Sequence, residues 1–235
     1  MKYSNIVKGI FKDRPNRFIA NVVIDGKIER VHVKNTGRCK ELLIPDSTVF
    51  LQKSDNPSRS TNYDLISVIK KTRCGDILIN MDSQVVNDVA YEWLTNCGMF
   101  SKNAIITREY TVTHNEIKSR FDIFVSDGER KAFIEVKGVT LENDSVASFP
   151  DAPTLRGVKH LNHLALLKKE GYEAYVLFVI QMKGVSKFTP NKITHEEFCI
   201  ALKNAEKCGV EILCYDCVVD IDSIRIDKPI EYFLN

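Results

Sequence analysis

No apolar run in this chain of 235 residues is longer than the seven from Ala174 to Ile180, far short of the roughly 20 that a membrane-spanning helix needs. The segment from Met1 to Lys12 lacks the apolar stretch of a secretory leader. Cysteine occurs seven times, an odd number without the spacing of a disulfide framework, as expected of reduced thiols in a cytosolic protein. Cys214 and Cys217 are close in sequence but lie in a strand-like pattern, where positions three apart face opposite sides. Also missing are a Gly-rich nucleotide loop, zinc-type Cys/His spacing and a Ser-His-Asp cue, so a small-molecule enzyme of those types finds no support. These absences predict a cytoplasmic protein without a membrane segment.

Charge is present in both signs but unevenly placed. The net charge is only +2, yet residues 1–83 hold 15 Lys and Arg against 9 Asp and Glu, and the remainder holds 18 against 22. The imbalance predicts two domains, 1–83 and 84–235, with the first attracted to polyanions.

Short alternating stretches recur in the first domain: Arg17 to Ile24, Glu29 to Val33, Thr48 to Leu51, Asp64 to Ile69 and Asp76 to Ile79. Turn signals such as Asp25-Gly26 and Pro45-Asp46 separate them. Five strands in such a length predict a small β-barrel of the OB-like kind. Basic residues at strand ends and loops, among them Arg14, Arg17, Lys34, Arg38 and Lys40, suit a groove that follows a phosphate backbone. In Lys34-Asn35-Thr36-Gly37-Arg38 the glycine permits a tight turn, and its amides with Asn35 and Thr36 suit a phosphate. A hairpin loop stiffened by Asn and Thr fits the same residues.

After residue 84 the period changes. Val85 to Leu94 reads as a helix, with Val85, Val89 and Trp93 on one stripe. Strands follow at 104–112, 121–125 and 132–136, then a helix from Thr154 to Glu170 that stops at Gly171. Tyr175 to Ile180 reads as a strand covered on both faces, before a helix at 196–207 and a strand from Val210. The order α, β, β, β, α, β is that of the PD-(D/E)xK nuclease-like fold, which makes the whole chain an α+β two-domain protein.

The second and third of these strands carry unusual charges. Asp122 opens one, Asp127-Gly128 supplies a turn, and Ala132-Phe-Ile-Glu135-Val-Lys137 returns. A turn centred on Gly128 and Glu129 sets Asp122 opposite Glu135, with Glu135 and Lys137 on one face. Ions inside apolar strands cost several kcal/mol unless paired or bound to metal. Two facing carboxylates suit Mg²⁺ or Mn²⁺ as all-oxygen ligands, with Lys137 placed to stabilise phosphate charge or hold attacking water. Glu116-Ile-Lys118 and Glu129-Arg-Lys131 match the same spacing but lie among polar neighbours.

Other residues are candidates around this centre. Glu92 on the first helix and Glu109 on a strand offer a further acid, and Gln181 ends the buried strand. Arg120 neighbours Asp122, and Arg156, Lys159 and His160 open the second helix where a phosphate would pass. Asp151, between two prolines, reads as a turn or cap residue.

Several strings in order, Asn35-Thr-Gly-Arg38, Ser119-Arg-Phe-Asp122, Glu135-Val-Lys-Gly-Val-Thr-Leu141, Phe149-Pro-Asp-Ala-Pro-Thr154, Lys159-His-Leu161 and Phe188-Thr-Pro-Asn191, resemble the sugar fermentation stimulation (SfsA) family over nearly the whole chain. The resemblance implies an OB-like domain followed by a PD-(D/E)xK-like domain, with DNA as partner. Cys39, Leu155 and Met182 depart from it, where methionine, glutamate and arginine are expected. Two functions remain open on this basis: a non-catalytic DNA-binding protein, regulatory for sugar metabolism, and a Mg²⁺-dependent DNA nuclease using Asp122, Glu135 and Lys137.

Overall fold

A computed structural model describes residues 1–35, 37–73, 75–114 and 116–234. The first domain contains β1 (Ile6–Asn16), β2 (Ile19–Ile24), β3 (Lys27–Val33), β4 (Thr48–Lys53), β5 (Tyr63–Thr72) and β6 (Gly75–Asn80). Its sheet has the order β3-β2-β1-β4-β5-β6, and a parallel pairing of β3 with β5 joins the two sides into a closed circuit. Alternation drives this arrangement, because Ala20, Val22, Ile24, Val31, Val33, Val49 and Leu51 all point into one core.

β1 is the strand that the sequence pattern conceals. Gly9, Pro15 and four charged residues interrupt its apolar positions. The glycine is required by packing, since a Cβ there would stand 2.4 Å from Val22 Cγ1 and 3.2 Å from the Val23 carbonyl oxygen. Asn16 then turns the chain, its side-chain oxygen accepting from the backbone N–H groups of Phe18 and Ile19 at 2.9 and 3.0 Å.

The second domain begins with α1 (Val86–Asn96), followed by β7 (Ile105–His114), β8 (Ile117–Asp127), β9 (Arg130–Val139), β10 (Leu141–Asn143) and β11 (Val146–Phe149). Then come α2 (Leu155–Lys169), β12 (Glu173–Ile180), β13 (Lys187–Pro190), α3 (Glu196–Lys207), β14 (Glu211–Asp220), β15 (Ser223–Pro229) and β16 (Glu231–Tyr232). The large sheet has the order β15-β14-β12-β9-β8-β7, with β12 parallel to both β9 and β14. Thr154 caps α2 by accepting from Gly157 N–H at 3.1 Å.

Helices cover both faces of this sheet, which explains the unbroken apolar run of β12. Leu161, Leu164 and Leu167 of α2 and Phe198 and Leu202 of α3 share a core with Phe133 and Phe178. Val86, Val89 and Ala90 of α1 share another with Ile134, Val136 and Leu177. A smaller sheet, β10-β11-β13-β16, was not expected, because strands this short show no measurable period. Among the described residues no helix is long and apolar enough to cross a membrane.

Several contacts tie the two domains together. Lys2 bridges to Ser223, and Tyr3 N–H donates to the Asp222 carbonyl at 2.8 Å. Residues 1–3 therefore pack on the second domain, because burying the Tyr3 ring there removes apolar surface from water. Lys70 on β5 meets Glu142 on β10 at 2.5 Å. Gln181 donates to Asn80 Oδ1 at 3.0 Å and to the Asp82 carbonyl at 3.1 Å.

Candidate functional site

The β8–β9 hairpin turns at Gly128 and Glu129, and its ladder runs from Asp127↔Arg130 to Ile123↔Ile134. There the two strands part. β8 continues against β7 alone, down to His114↔Ile117, while β9 continues against β12 as far as Ile180↔Val139. In the gap, the Val136 N–H donates to Asp122 Oδ2 at 2.8 Å instead of to a ladder carbonyl. The carboxylate of Asp122 thus replaces a backbone acceptor that the splayed strand has withdrawn.

Both faces of the sheet send a side chain to this gap. From α1, Asn87 Nδ2 donates to Asp122 Oδ1 at 3.0 Å. From α2, His160 Nδ1 lies 2.6 Å from Glu135 Oε1, which also receives the Lys137 ammonium. Glu135 is 3% exposed, and its second oxygen, Oε2, is buried without a hydrogen-bond partner. Burial opposes ionisation of Glu135, but Lys137 and His160 outweigh it and hold the carboxyl below its usual range. Burial, with the Glu135 charge, raises the Asp122 carboxyl above its usual range.

An orphaned carboxylate oxygen beside a second desolvated carboxyl fits a hard divalent cation, which satisfies both charge and lone pairs at once. Among the described residues no three His, Cys, Asp or Glu side chains group to hold a metal by themselves. A cation at Asp122 and Glu135 would therefore keep water in part of its shell, as Mg²⁺ commonly does.

Asn87 and His160 extend the set expected from sequence. Asn87 gave no signal, being one polar residue in an amphipathic helix. His160 was expected at a DNA phosphate, but it is buried at 4% exposure against Glu135. Its position follows from helical spacing, since His160, Leu161, Leu164 and Leu167 face inward while Lys159 stays exposed. Arg156 is likewise exposed, one turn before His160.

The structure takes other candidates away from this gap. Glu92 is exposed and meets the amino group of Met1 at 2.5 Å. Glu109 on β7 has φ of +53°, is exposed and pairs with Arg120 at 3.4 Å. Gln181 places its amide on Asn80 and Asp82, so it satisfies groups at the end of β6 instead of facing Glu135. Leu155 is exposed and Met182 fully buried.

In the first domain the basic residues divide by use. Lys34 lies 3.4 Å from Asp64 and 3.5 Å from Asp82, so its charge is matched inside the protein. Asn35 is buried, donating to the Met81 carbonyl and accepting from Gly37 N–H at 2.7 Å, which makes it a turn former and not a surface contact. Thr36 lies outside the described residues. Arg14, another of the basic residues at strand ends, donates to the carbonyls of Asn35, Gly37, Arg38 and Arg17 and so shapes the loop. Arg17, Arg38 and Lys40 remain exposed around it.

Known proteins resemble this chain in sequence and fold. A family model described as the SfsA N-terminal OB domain matches residues 13–81, and one described as the sugar fermentation stimulation protein RE domain matches residues 84–223. A sugar fermentation stimulation protein homolog from Clostridium beijerinckii is 55% identical over 234 residues, covering 100% of both chains. One from Desulfitobacterium hafniense is 58% identical over 225 residues, covering 96% of this chain and 95% of the other. A solved structure of Pyrococcus furiosus SfsA in complex with Ca²⁺ superposes with a TM-score of 0.82 at 26% identity, covering 99% of this chain and 98% of the other. With both domain models matched in order and identity above half along the full length, the chain belongs to the sugar fermentation stimulation protein (SfsA) family.

Proposed function

We propose that this protein binds DNA through its basic first domain and cleaves phosphodiester bonds at a PD-(D/E)xK-type centre formed by Asp122, Glu135 and Lys137 with Mg²⁺ or Mn²⁺. The observation that carries this reading is Glu135 Oε2, a buried carboxylate oxygen without a partner in a gap between splayed strands. Such an atom costs about 1–3 kcal/mol or more when left unsatisfied, and mere DNA binding gains nothing from carboxylates that repel phosphate. A bound divalent cation would supply Lewis-acid polarisation of the phosphoryl oxygen and a lowered pKa for attacking water. A relative whose structure contains Ca²⁺ supports the hard-cation assignment.

The chain's own groups have separable tasks in this reading. Asp122 is oriented by Asn87 and the Val136 N–H. Glu135 is held by His160, and its Oε2 is left to coordinate. Lys137, 17% exposed at the edge of the gap, can leave Glu135 for the scissile phosphate as its charge builds. Incubating supercoiled plasmid with Mg²⁺, Mn²⁺ or chelator is the test: nicking by wild-type protein only with metal, and loss of nicking in Glu135→Gln, is the expected result.

One observation favours a second reading, a non-catalytic DNA-binding regulator. Lys137 and His160 together already satisfy Glu135 Oε1, so half of the carboxylate is neutralised without metal. Equal plasmid integrity with wild-type and Glu135→Gln protein, alongside undiminished DNA binding, would favour it.

A further inference from the structure

Three adjoining cavities run from the first domain to its boundary with the second. Arg17, Arg38 and Lys40 line both a cavity of about 450 Å³ and one of about 550 Å³. Gly37, Leu141 and Asp151 line both the second and a third of about 160 Å³, whose inner wall includes Gly138, Val86 and Gln181. Gly138 directly follows Lys137 in β9 and faces Val86 and Gln181, on the side of the strand opposite Glu135 and Lys137. At the wide end Arg17, Arg38 and Lys40 are exposed cations with no ion-pair partner among the described residues, unlike Lys12, Lys34 and Lys70.

The throat is tight on both walls. A Cβ on Gly37 would stand 2.3 Å from Asp151 Oδ2, and one on Gly138 would stand 2.6 Å from Gln181 Oε1 and 2.8 Å from Val86 Cγ2. Asp13, Glu41 and Asp151 also face the cavities. Asp13 accepts from Asn21 at 2.8 Å, and Asp151 repels phosphate, which leaves the side of Arg17, Arg38 and Lys40 as the rail for a polyanion. Beside that rail stands Phe18, 51% exposed on the β1–β2 turn, with the Arg17 guanidinium 5.8 Å from its ring centre. Exposed aromatics next to cations are how sequence-tolerant single-strand binders hold bases.

We propose that this cleft takes single-stranded DNA, with phosphates on Arg17, Arg38 and Lys40 and a base stacked on Phe18. The proposal rests on the DNA-cleaving reading above and adds the form of the substrate. A duplex offers no free base face to Phe18.

Fluorescence anisotropy with a labelled oligothymidine and a duplex of equal length, in chelator so that nothing is cut, tests it on the full chain. The single strand is expected to bind about tenfold tighter or more, Phe18→Ala to weaken it about tenfold with little effect on duplex, and Arg38→Ala/Lys40→Ala to weaken both. Lys102→Ala, an exposed cation outside the cleft, serves as the control. Duplex binding as tight as single-strand binding, or an unchanged Phe18→Ala, overturns the single-strand proposal and leaves DNA binding standing. Binding to neither form overturns both.

Discussion

His160 Nδ1 and Glu135 Oε1 lie 2.6 Å apart, joining the first turns of α2 to the centre of β9 across a buried interface. The contact fixes the Glu135 carboxyl group while its other oxygen stays without a partner. A residue that orients a ligand commonly changes metal affinity by 10–100-fold when removed. His160→Ala is therefore expected to weaken Mn²⁺ binding by about that factor in isothermal titration. An unchanged affinity would reduce His160 to packing against Phe121, whose ring centre is 5.4 Å away.

Removing either carboxylate separates cutting from binding. Asp122→Asn and Glu135→Gln are expected to lower plasmid nicking by about 100-fold or more, with DNA affinity changed less than about threefold. Lys137→Ala should act on turnover in the same way. Anisotropy and nicking measured on the same preparations check the split, and a parallel loss of binding would show that these side chains contact DNA in the ground state.

The basic rim should be visible in salt dependence. Each phosphate contact contributes about 0.7–0.9 to the slope of log affinity against log salt, so Arg38→Ala/Lys40→Ala is expected to flatten that slope by about 1.4–1.8. Lys34→Ala should leave the slope nearly unchanged, since Lys34 already faces Asp64 and Asp82.

Asp64 makes stability depend on acid. Burial works against its charge, but hydrogen bonds from Arg59 and His32 and the nearby Lys34 outweigh it and lower the carboxyl from 3.8 to about 2. A depressed carboxyl stabilises the fold above its unfolded value, and that contribution is lost as pH falls from 3.8 to about 2. Asp64→Asn is expected to cost about 2 kcal/mol at neutral pH, with the difference vanishing near the lower limit. Urea unfolding at several pH values measures it.

Gly9→Ala tests the packing of β1 on β2. The added methyl would meet Val22 Cγ1 at 2.4 Å with the Val23 carbonyl close behind, and a loss of about 1–3 kcal/mol is expected in thermal or urea unfolding. A neutral effect would mean that the strands can part without loss.

Much of the second domain was legible in the sequence because its elements are long and periodic. The helices expected at 154–170 and 196–207 appear at Leu155–Lys169 and Glu196–Lys207, since caps and amphipathic spacing act locally. The Asp127-Gly128 turn likewise determined the hairpin register. β1 stayed hidden because Gly9 is explained only by a neighbour on another strand.

The candidate site divides along the same line. Asp122, Glu135 and Lys137 could be read because ionisable groups inside apolar strands stand out whatever they touch, and strand alternation sets two of them on one face. That Gln181 and Asn35 serve as internal ties, that His160 holds Glu135, and that Asn87 reaches Asp122 depended on packing. The sequence by itself determined which charges had to be buried and in what register. Only the tertiary structure decided which partners meet them, because hydrogen bonds between residues 25 to 101 positions apart exist only once helices close over a splayed sheet.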